Sequence, residues 1–253
     1  ERIFDAILRL LPRGFLDLNN QVKLRLREWT YEVGLAQLDG MSPIDRLSSR
    51  LIDDLTQYFS MQGQYERAEP LLIEAVLGRR SAFGDQDART LSSISSLGAL
   101  YSDRGKHDQG EPLLREALAA RRATLGDDHS DTLKSLNALA LLLFERGEYS
   151  QAEPMYEEAL AAHRRISTDL HPDTLTALNN LGLMYIEWGK LDRAEPVMQE
   201  ALRGRRKTLG NLHPDTLITI IYNGWMYSNI PNYAAAQPLI EEAVPGCQQV
   251  LGD

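Results

Sequence analysis

The chain has 253 residues, with 27 Lys and Arg against 36 Asp and Glu, for a net charge of −9. That balance excludes a general phosphate-backbone binder, which needs clustered cations to displace counterions. Hydrophobic residues make up 43% of the chain but aromatic ones only 7%, so a length that allows one or two domains of roughly 150 residues is filled mainly by small and aliphatic side chains. The longest apolar run, Ala138 to Phe144, has seven residues, far short of the roughly 18 that a membrane helix requires. A single cysteine, Cys247, leaves no intramolecular disulfide framework and no metal-ligand spacing, which fits a reducing, cytoplasmic setting. The chain starts on Glu1 without a basic segment followed by an apolar one; it reads as a piece of a longer protein without a signal peptide.

Residues 1–42 form an N-terminal segment that stands apart from the rest of the chain. Ile3, Phe4, Ile7, Leu8 and Leu11 give a helical stripe that Pro12 and Gly14 close. Asp17 to Leu38 is ambiguous: Val22, Leu24 and Leu26 alternate with Lys23, Arg25 and Arg27 as in a strand, whereas Leu18, Val22, Trp29, Val33 and Leu38 suit a helix. Helix is favoured, because stacked helical units need a cover for their first apolar face.

From residue 43 onward the chain repeats. Glu-Pro recurs at Glu69-Pro70, Glu111-Pro112, Glu153-Pro154 and Glu195-Pro196, with Gln237-Pro238 next, each step being 42 residues. Thr90-Leu91, Thr132-Leu133, Thr174-Leu175 and Thr216-Leu217 keep the same interval, which tiles residues 43–252 into five units: 43–84, 85–126, 127–168, 169–210 and 211–252. In the unit at 169–210, Leu175, Leu178, Leu181 and Tyr185 share a helical face that starts at Pro172-Asp173, where a first turn tolerates a missing N–H and favours negative charge. Gly189-Lys190 interrupts it, and a second stripe of Ala194, Val197, Met198, Ala201 and Leu202 runs to a stop at Gly210. Pro196 falls about one turn into this second helix, near the N–H groups that lack helical partners. Each unit is thus a helical hairpin, helix A then helix B. In the first unit helix A (Leu47, Leu51, Leu55, Phe59) lacks the Thr-Leu start, and in the third Ser167-Thr168 replaces the closing Leu-Gly.

Leu97-Gly98-x-x-Tyr101, Leu181-Gly182-x-x-Tyr185 and Gly224-x-x-Tyr227, followed nine positions later by Gly110, Ala194 and Ala236 and sixteen positions later by Ala117, Ala201 and Ala243, resemble the tetratricopeptide repeat. The usual period of that repeat is about 34. The longer unit, with Leu178-Asn179-Asn180-Leu181 and Leu209-Gly210-Asn211-Leu212-His213-Pro214-Asp215-Thr216, is similar to kinesin light chain-type repeats across all five units. The resemblance implies an all-α fold, a right-handed α-solenoid of antiparallel helix hairpins, and a non-enzymatic protein- or peptide-binding scaffold that uses its concave groove. Outside kinesin, such repeats resemble the C-terminal arrays of nucleotide-binding signalling ATPases, so a sensor segment of such an enzyme is the alternative.

Chemistry-bearing patterns are sparse. His-Glu-x-x-His and Gly-x-x-x-x-Gly-Lys are missing from the sequence, and no cofactor or metal is expected. His129, His171 and His213 recur every 42 residues, as a ligand ladder would, but each precedes a helix A and reads better as the end of a turn. Arg79-Arg80, Arg121-Arg122, Arg164-Arg165 and Arg205-Arg206 are either a basic stripe for an acidic partner or solvated cations that complement a helix C-terminus, the second being preferred.

The binding candidates lie on helix A of each unit: Arg50; Lys134, Asn137, Leu141 and Glu145; Thr176, Asn179, Asn180, Leu183 and Glu187; Tyr222 and Trp225. The resemblance implies that Asn137 and Asn179 pair with the backbone of an extended peptide; equally, they solvate the helix face. Tyr222 and Trp225, with Ile218 and Ile221, form an apolar patch, either a seat for a further repeat, a cap or another copy, or an anchor pocket for a ligand side chain. Arg50 and Lys134 face Asp53, Asp54, Asp103, Glu145 and Glu187 along the expected groove, so a neutral or basic partner is expected rather than an acidic one, with neither nucleic acid nor membrane as a partner.

Overall fold

The structure, a computed structural model, describes residues 32–229 and 232–251. The described residues are helical, with no strand among them. Residues 32–39 are helical, as favoured for the end of the ambiguous segment; the stripe at Ile3 to Leu11 and the rest of that segment lie outside the described residues. Then come α1 (Pro43–Ser48), α2 (Leu51–Met61), α3 (Tyr65–Phe83), α4 (Ala88–Asp103), α5 (His107–Leu125), α6 (Ser130–Glu145), α7 (Tyr149–Ile166), α8 (Pro172–Glu187), α9 (Leu191–Leu209), α10 (Pro214–Asn229) and α11 (Tyr233–Leu251). The starts of α4, α6, α8 and α10 step by 42 residues. This is the antiparallel hairpin array of an α-solenoid. It divides into two compact lobes, one up to Ala120 and one from Arg121 onward.

Local chemistry sets the turns. Helix A is opened by a side-chain cap: the Asp87 carboxylate accepts from the Arg89 N–H, and Nδ1 of His129, His171 and His213 accepts from the N–H of Asp131, Asp173 and Asp215, each at 3.2 Å. The recurring histidines are therefore capping groups, as preferred, and satisfy a donor that has no helical partner. Between helices B and A the chain turns through Gly84 (φ 90, ψ 168) and Gly210 (φ 81, ψ 171), a region open to residues without Cβ. Where Thr168 replaces that glycine, α7 ends at Ile166, and Ser167 takes an extended conformation (φ −145, ψ −167) instead.

Three expectations need correction. Helix A of the first unit is broken: Ser49 is extended, its hydroxyl caps the Leu51 N–H at 3.0 Å, and α1 and α2 are separate helices. Pro196 is the sixth residue of α9, beyond the N–H groups left free at a helix start, so it does remove one helical hydrogen bond. The arginine pairs are not uniformly solvated: Arg79, Arg121 and Arg205 are buried, whereas Arg164 and Arg165 stay exposed, as expected of solvated cations. Their register is Arg79, Arg121, His163 and Arg205 for the first member, and Arg80, Arg122, Arg164 and Arg206 for the second.

The first member is buried. The Arg79 guanidinium donates to Asp53 (2.6 and 2.9 Å), to Ser93 Oγ at 2.7 Å and to the backbone carbonyls of Leu47 and Ser49 at the α1–α2 break. Arg121 donates to Ser135 Oγ at 2.6 Å and to the Asp131 carbonyl at 3.2 Å, and Arg205 to Thr219 Oγ1 at 2.6 Å and the Asp215 carbonyl at 2.8 Å. Burial costs a cation heavily unless its donors are matched, and here each guanidinium ties the end of one helix B to the first turns of the next helix A. The second member reaches from one helix B to the next, pairing Arg80 with Glu116, Arg122 with Glu158, Arg164 with Glu200 and Arg206 with Glu242.

Each lobe has its own apolar interior. In the first, Leu38, Ile52, Leu55, Phe59, Leu72, Leu91, Ile94 and Leu100 pack together. Near the end of the second, Leu202, Leu217, Ile220 and Ala243 do so, with Cys247 half-buried against them. Small residues set the helix spacing: a Cβ on Gly182 would lie 2.3 Å from Met198 Sδ, and one on Gly204 2.3 Å from Leu175 Cδ2.

Candidate peptide-binding face

In the second lobe the A helices α6, α8 and α10 lie side by side, joined by two polar contacts. Asn180 donates through Nδ2 to Asn137 Oδ1 at 3.0 Å, and Thr219 donates through Oγ1 to Asn179 Oδ1 at 3.1 Å. These contacts treat the expected asparagines differently. Asn179 is buried, 6% exposed, with its oxygen turned to Thr219 beside the Arg205 guanidinium. Asn137 and Asn180 are half-buried and form an amide pair whose remaining groups are the Asn137 NH2 and the Asn180 oxygen. One donor and one acceptor side by side match what an extended peptide backbone presents.

Around that pair, Lys134, Leu141 and Glu145 on α6 and Thr176 and Glu187 on α8 are exposed, and Leu183 is half-buried. The Lys134 ammonium lies 2.9 Å from the Asp131 carboxylate, which holds that carboxyl below the usual range through its hydrogen bond to the ammonium. On α10, Tyr222 is half-buried, while Ile218 (43%), Ile221 (44%) and Trp225 (38%) remain exposed. That exposed set is compatible with either use of the patch. Arg50 belongs to the first lobe, exposed at the cap position of α2. Asp53, counted as a groove carboxylate, is bound by the Arg79 guanidinium.

Between α6, α7 and α8 an open cleft of ≈ 180 Å³ is lined by Ser130, Lys134, Asn137, His163, Asp173 and Thr176, with Leu133, Ala159 and Ala177 as its apolar wall. Burial holds the His163 imidazole below its ordinary value, partly offset by Asp173 and reinforced by His171. The sequence hid this cleft, because His163 and Ala177 stand out only once the register of the arginine pairs is known. Aromatic groups close the far end of the hairpins, where Tyr149 stacks on Trp188 at 5.8 Å.

Elsewhere the repeat markers work inside the scaffold. The Tyr185 hydroxyl donates to Glu153 and Glu157, at 3.0 Å each, and Tyr227 donates to Glu195 at 3.0 Å, so the Glu of these two Glu-Pro pairs receives the Tyr of the following repeat; after Glu111 that position is Leu143. The burial of the ring and these carboxylates raise the Tyr185 hydroxyl above the ordinary tyrosine range. Among the described residues no cluster of His, Cys, Asp and Glu has the arrangement to hold a metal ion, and no helix is long and apolar enough to cross a membrane.

Family models described as tetratricopeptide repeat match residues 50–88, 90–165, 141–207 and 173–249. No curated protein sequence matches the chain. Solved structures share the fold. BtubC (BKLC) from P. vanneervenii aligns with a TM-score of 0.71 at 22% identity over 94% of each chain. A Podosopora anserina protein described as having kinesin light chain nearly identical TPR-like repeats gives 0.71 at 22% identity, over 84% of this chain and 100% of its own. A Rap protein complexed with competence and sporulation factor gives 0.62 at 12% identity, over 91% of this chain and 72% of its own.

Proposed function

Because this chain belongs to the tetratricopeptide repeat family, we propose that it is a non-enzymatic scaffold that binds an extended, neutral-to-basic peptide segment of a partner protein across α6, α8 and α10. The observation that carries this reading is the Asn137–Asn180 amide pair, half-buried at the centre of the face with one free donor and one free acceptor. Backbone pairing supplies affinity independent of sequence, and the exposed Leu141, Trp225 and Ile221 nearby supply apolar seats for side chains. The charge preference follows from Glu145 and Glu187, opposed on this face by a Lys134 already engaged with Asp131. A cytoplasmic role fits the single cysteine.

Selection of random linear peptides displayed on phage, using the wild-type chain as bait, tests the reading. Enriched peptides should bind the Asn137→Ala, Asn180→Ala double variant more weakly by about 1–3 kcal/mol, the worth of a few hydrogen bonds. Equal affinity for both proteins in calorimetric titrations would place the ligand on another surface.

A further inference from the structure

Three of the five equivalent positions at the end of helix B hold a buried guanidinium; the last unit has Cys247 there, and the unit between Arg121 and Arg205 has neither. Arg79, Arg121 and Arg205 meet a hydroxyl at Ser93, Ser135 and Thr219 respectively. One repeat along, both partners change together: His163 stands in the arginine's place and Ala177 in the hydroxyl's. The α7–α8 turn differs, with Ser167 extended where the other repeats use glycine, but α8 starts in step with α6 and α10 and its first turn is capped by His171 as theirs are by His129 and His213. The cleft of ≈ 180 Å³ lies at this substitution, lined by His163 from α7, by Asp173, Thr176 and Ala177 from α8 and by Lys134 and Asn137 from α6. It has room for several water molecules or a planar polar group.

We infer that this cleft receives the guanidinium of an arginine side chain carried by the bound peptide, which takes the place of the arginine this repeat lacks. The inference rests on the groove reading and specifies its partner. The same helix ends accommodate a guanidinium in the neighbouring repeats, where the carbonyls of Asp131 and Asp215 accept from it; the carbonyl of Asp173 occupies the corresponding place. A neutral imidazole at His163 and the Asp173 carboxylate add acceptors. The Lys134 ammonium at the mouth is held 2.9 Å from Asp131, so its charge is compensated. A peptide backbone on the Asn137–Asn180 pair lies next to the opening, because Asn137 belongs to both.

The direct test is an NMR titration of the chain with N-acetyl-arginine N-methylamide, with N-acetyl-glutamate N-methylamide as the opposite charge. The arginine derivative should shift the His163 ring and Ala177 and Thr176 methyl signals saturably, with a millimolar dissociation constant suited to so small a ligand. The His163→Arg, Ala177→Ser variant, which refills the cleft as Arg121 and Ser135 do, keeps Thr176 as its reporter and should show no saturable shift of that methyl, while melting no lower than wild type. No saturable shift in the wild type, or an equal response to the glutamate derivative, overturns the inference. Peptides selected on the wild type separate it from the groove reading. If they lose about ten- to hundredfold affinity for the refilled variant, as expected for charged hydrogen bonds, the inference holds. If they bind that variant normally but fail on Asn137→Ala, Asn180→Ala, the groove stands and the arginine site falls.

Discussion

Arginine burial is the least expected chemistry of this chain at the scale of single residues. Arg121 and Arg205 are 7% and 6% exposed, and their burial disfavours the charged form, lowering each below the ordinary arginine value; matched acceptors keep them in place. Replacing Arg205 with Leu should therefore lower stability by about 2–4 kcal/mol, because the Asp215 carbonyl and Thr219 hydroxyl lose their charged donor, as chemical denaturation would measure. Arg203→Leu, on the exposed face of α9, should change it by less than about 0.5 kcal/mol. His163 makes the opposite prediction with pH. Its folded-state value is depressed, so the unfolded chain binds the proton first as pH falls below the ordinary 6.5, and stability is lost in that window. The denaturation midpoint should fall from pH 7 to pH 5, and less so for His163→Gln. Such pairings were invisible in the sequence, where a doubled arginine at a helix end looks like a solvated cation: burial depends on the next repeat's Ser or Thr fourteen residues on, as in Arg121 and Ser135.

Helices and turns were far more legible. A 42-residue period, Thr-Leu starts and glycine stops located α4 to α11, because hairpins of this kind are specified locally and by their immediate neighbours. The exception is informative: α1 and α2 share one apolar stripe, but Ser49 prefers to cap Leu51, and Arg79 takes up the carbonyls that the break exposes. Periodicity registers apolar spacing and is blind to such a competing hydrogen bond. The turn glycines yield a prediction at this scale. Gly210 has φ 81 and ψ 171, so Gly210→Ala should cost about 1–3 kcal/mol of backbone strain. Thr168→Gly, at a turn that already uses an extended Ser167, should not gain a comparable amount; paired thermal melts compare the two.

For the whole molecule, a low aromatic content and an acidic balance turn out to describe a protein built from repeats rather than around one centre. Many cations are engaged within the array, in the buried guanidinium series and in the Arg–Glu contacts between successive B helices. Asn137 and Asn180 are half-buried and Leu141 and Trp225 exposed, so these four side chains are accessible to the ligand proposed for this face. Asn179, by contrast, turns inward to Thr219, since adjacent asparagines on a helix point about 100° apart and only one of them can face the groove. Photo-crosslinking tests the central claim most directly: a benzoylphenylalanine placed at Leu183, on the face beside the amide pair, is compared with one at Arg203 on α9. The account predicts that a selected peptide crosslinks from position 183 and not from position 203, and that unlabelled peptide suppresses the product. Crosslinking from position 203, with none from 183, would contradict it.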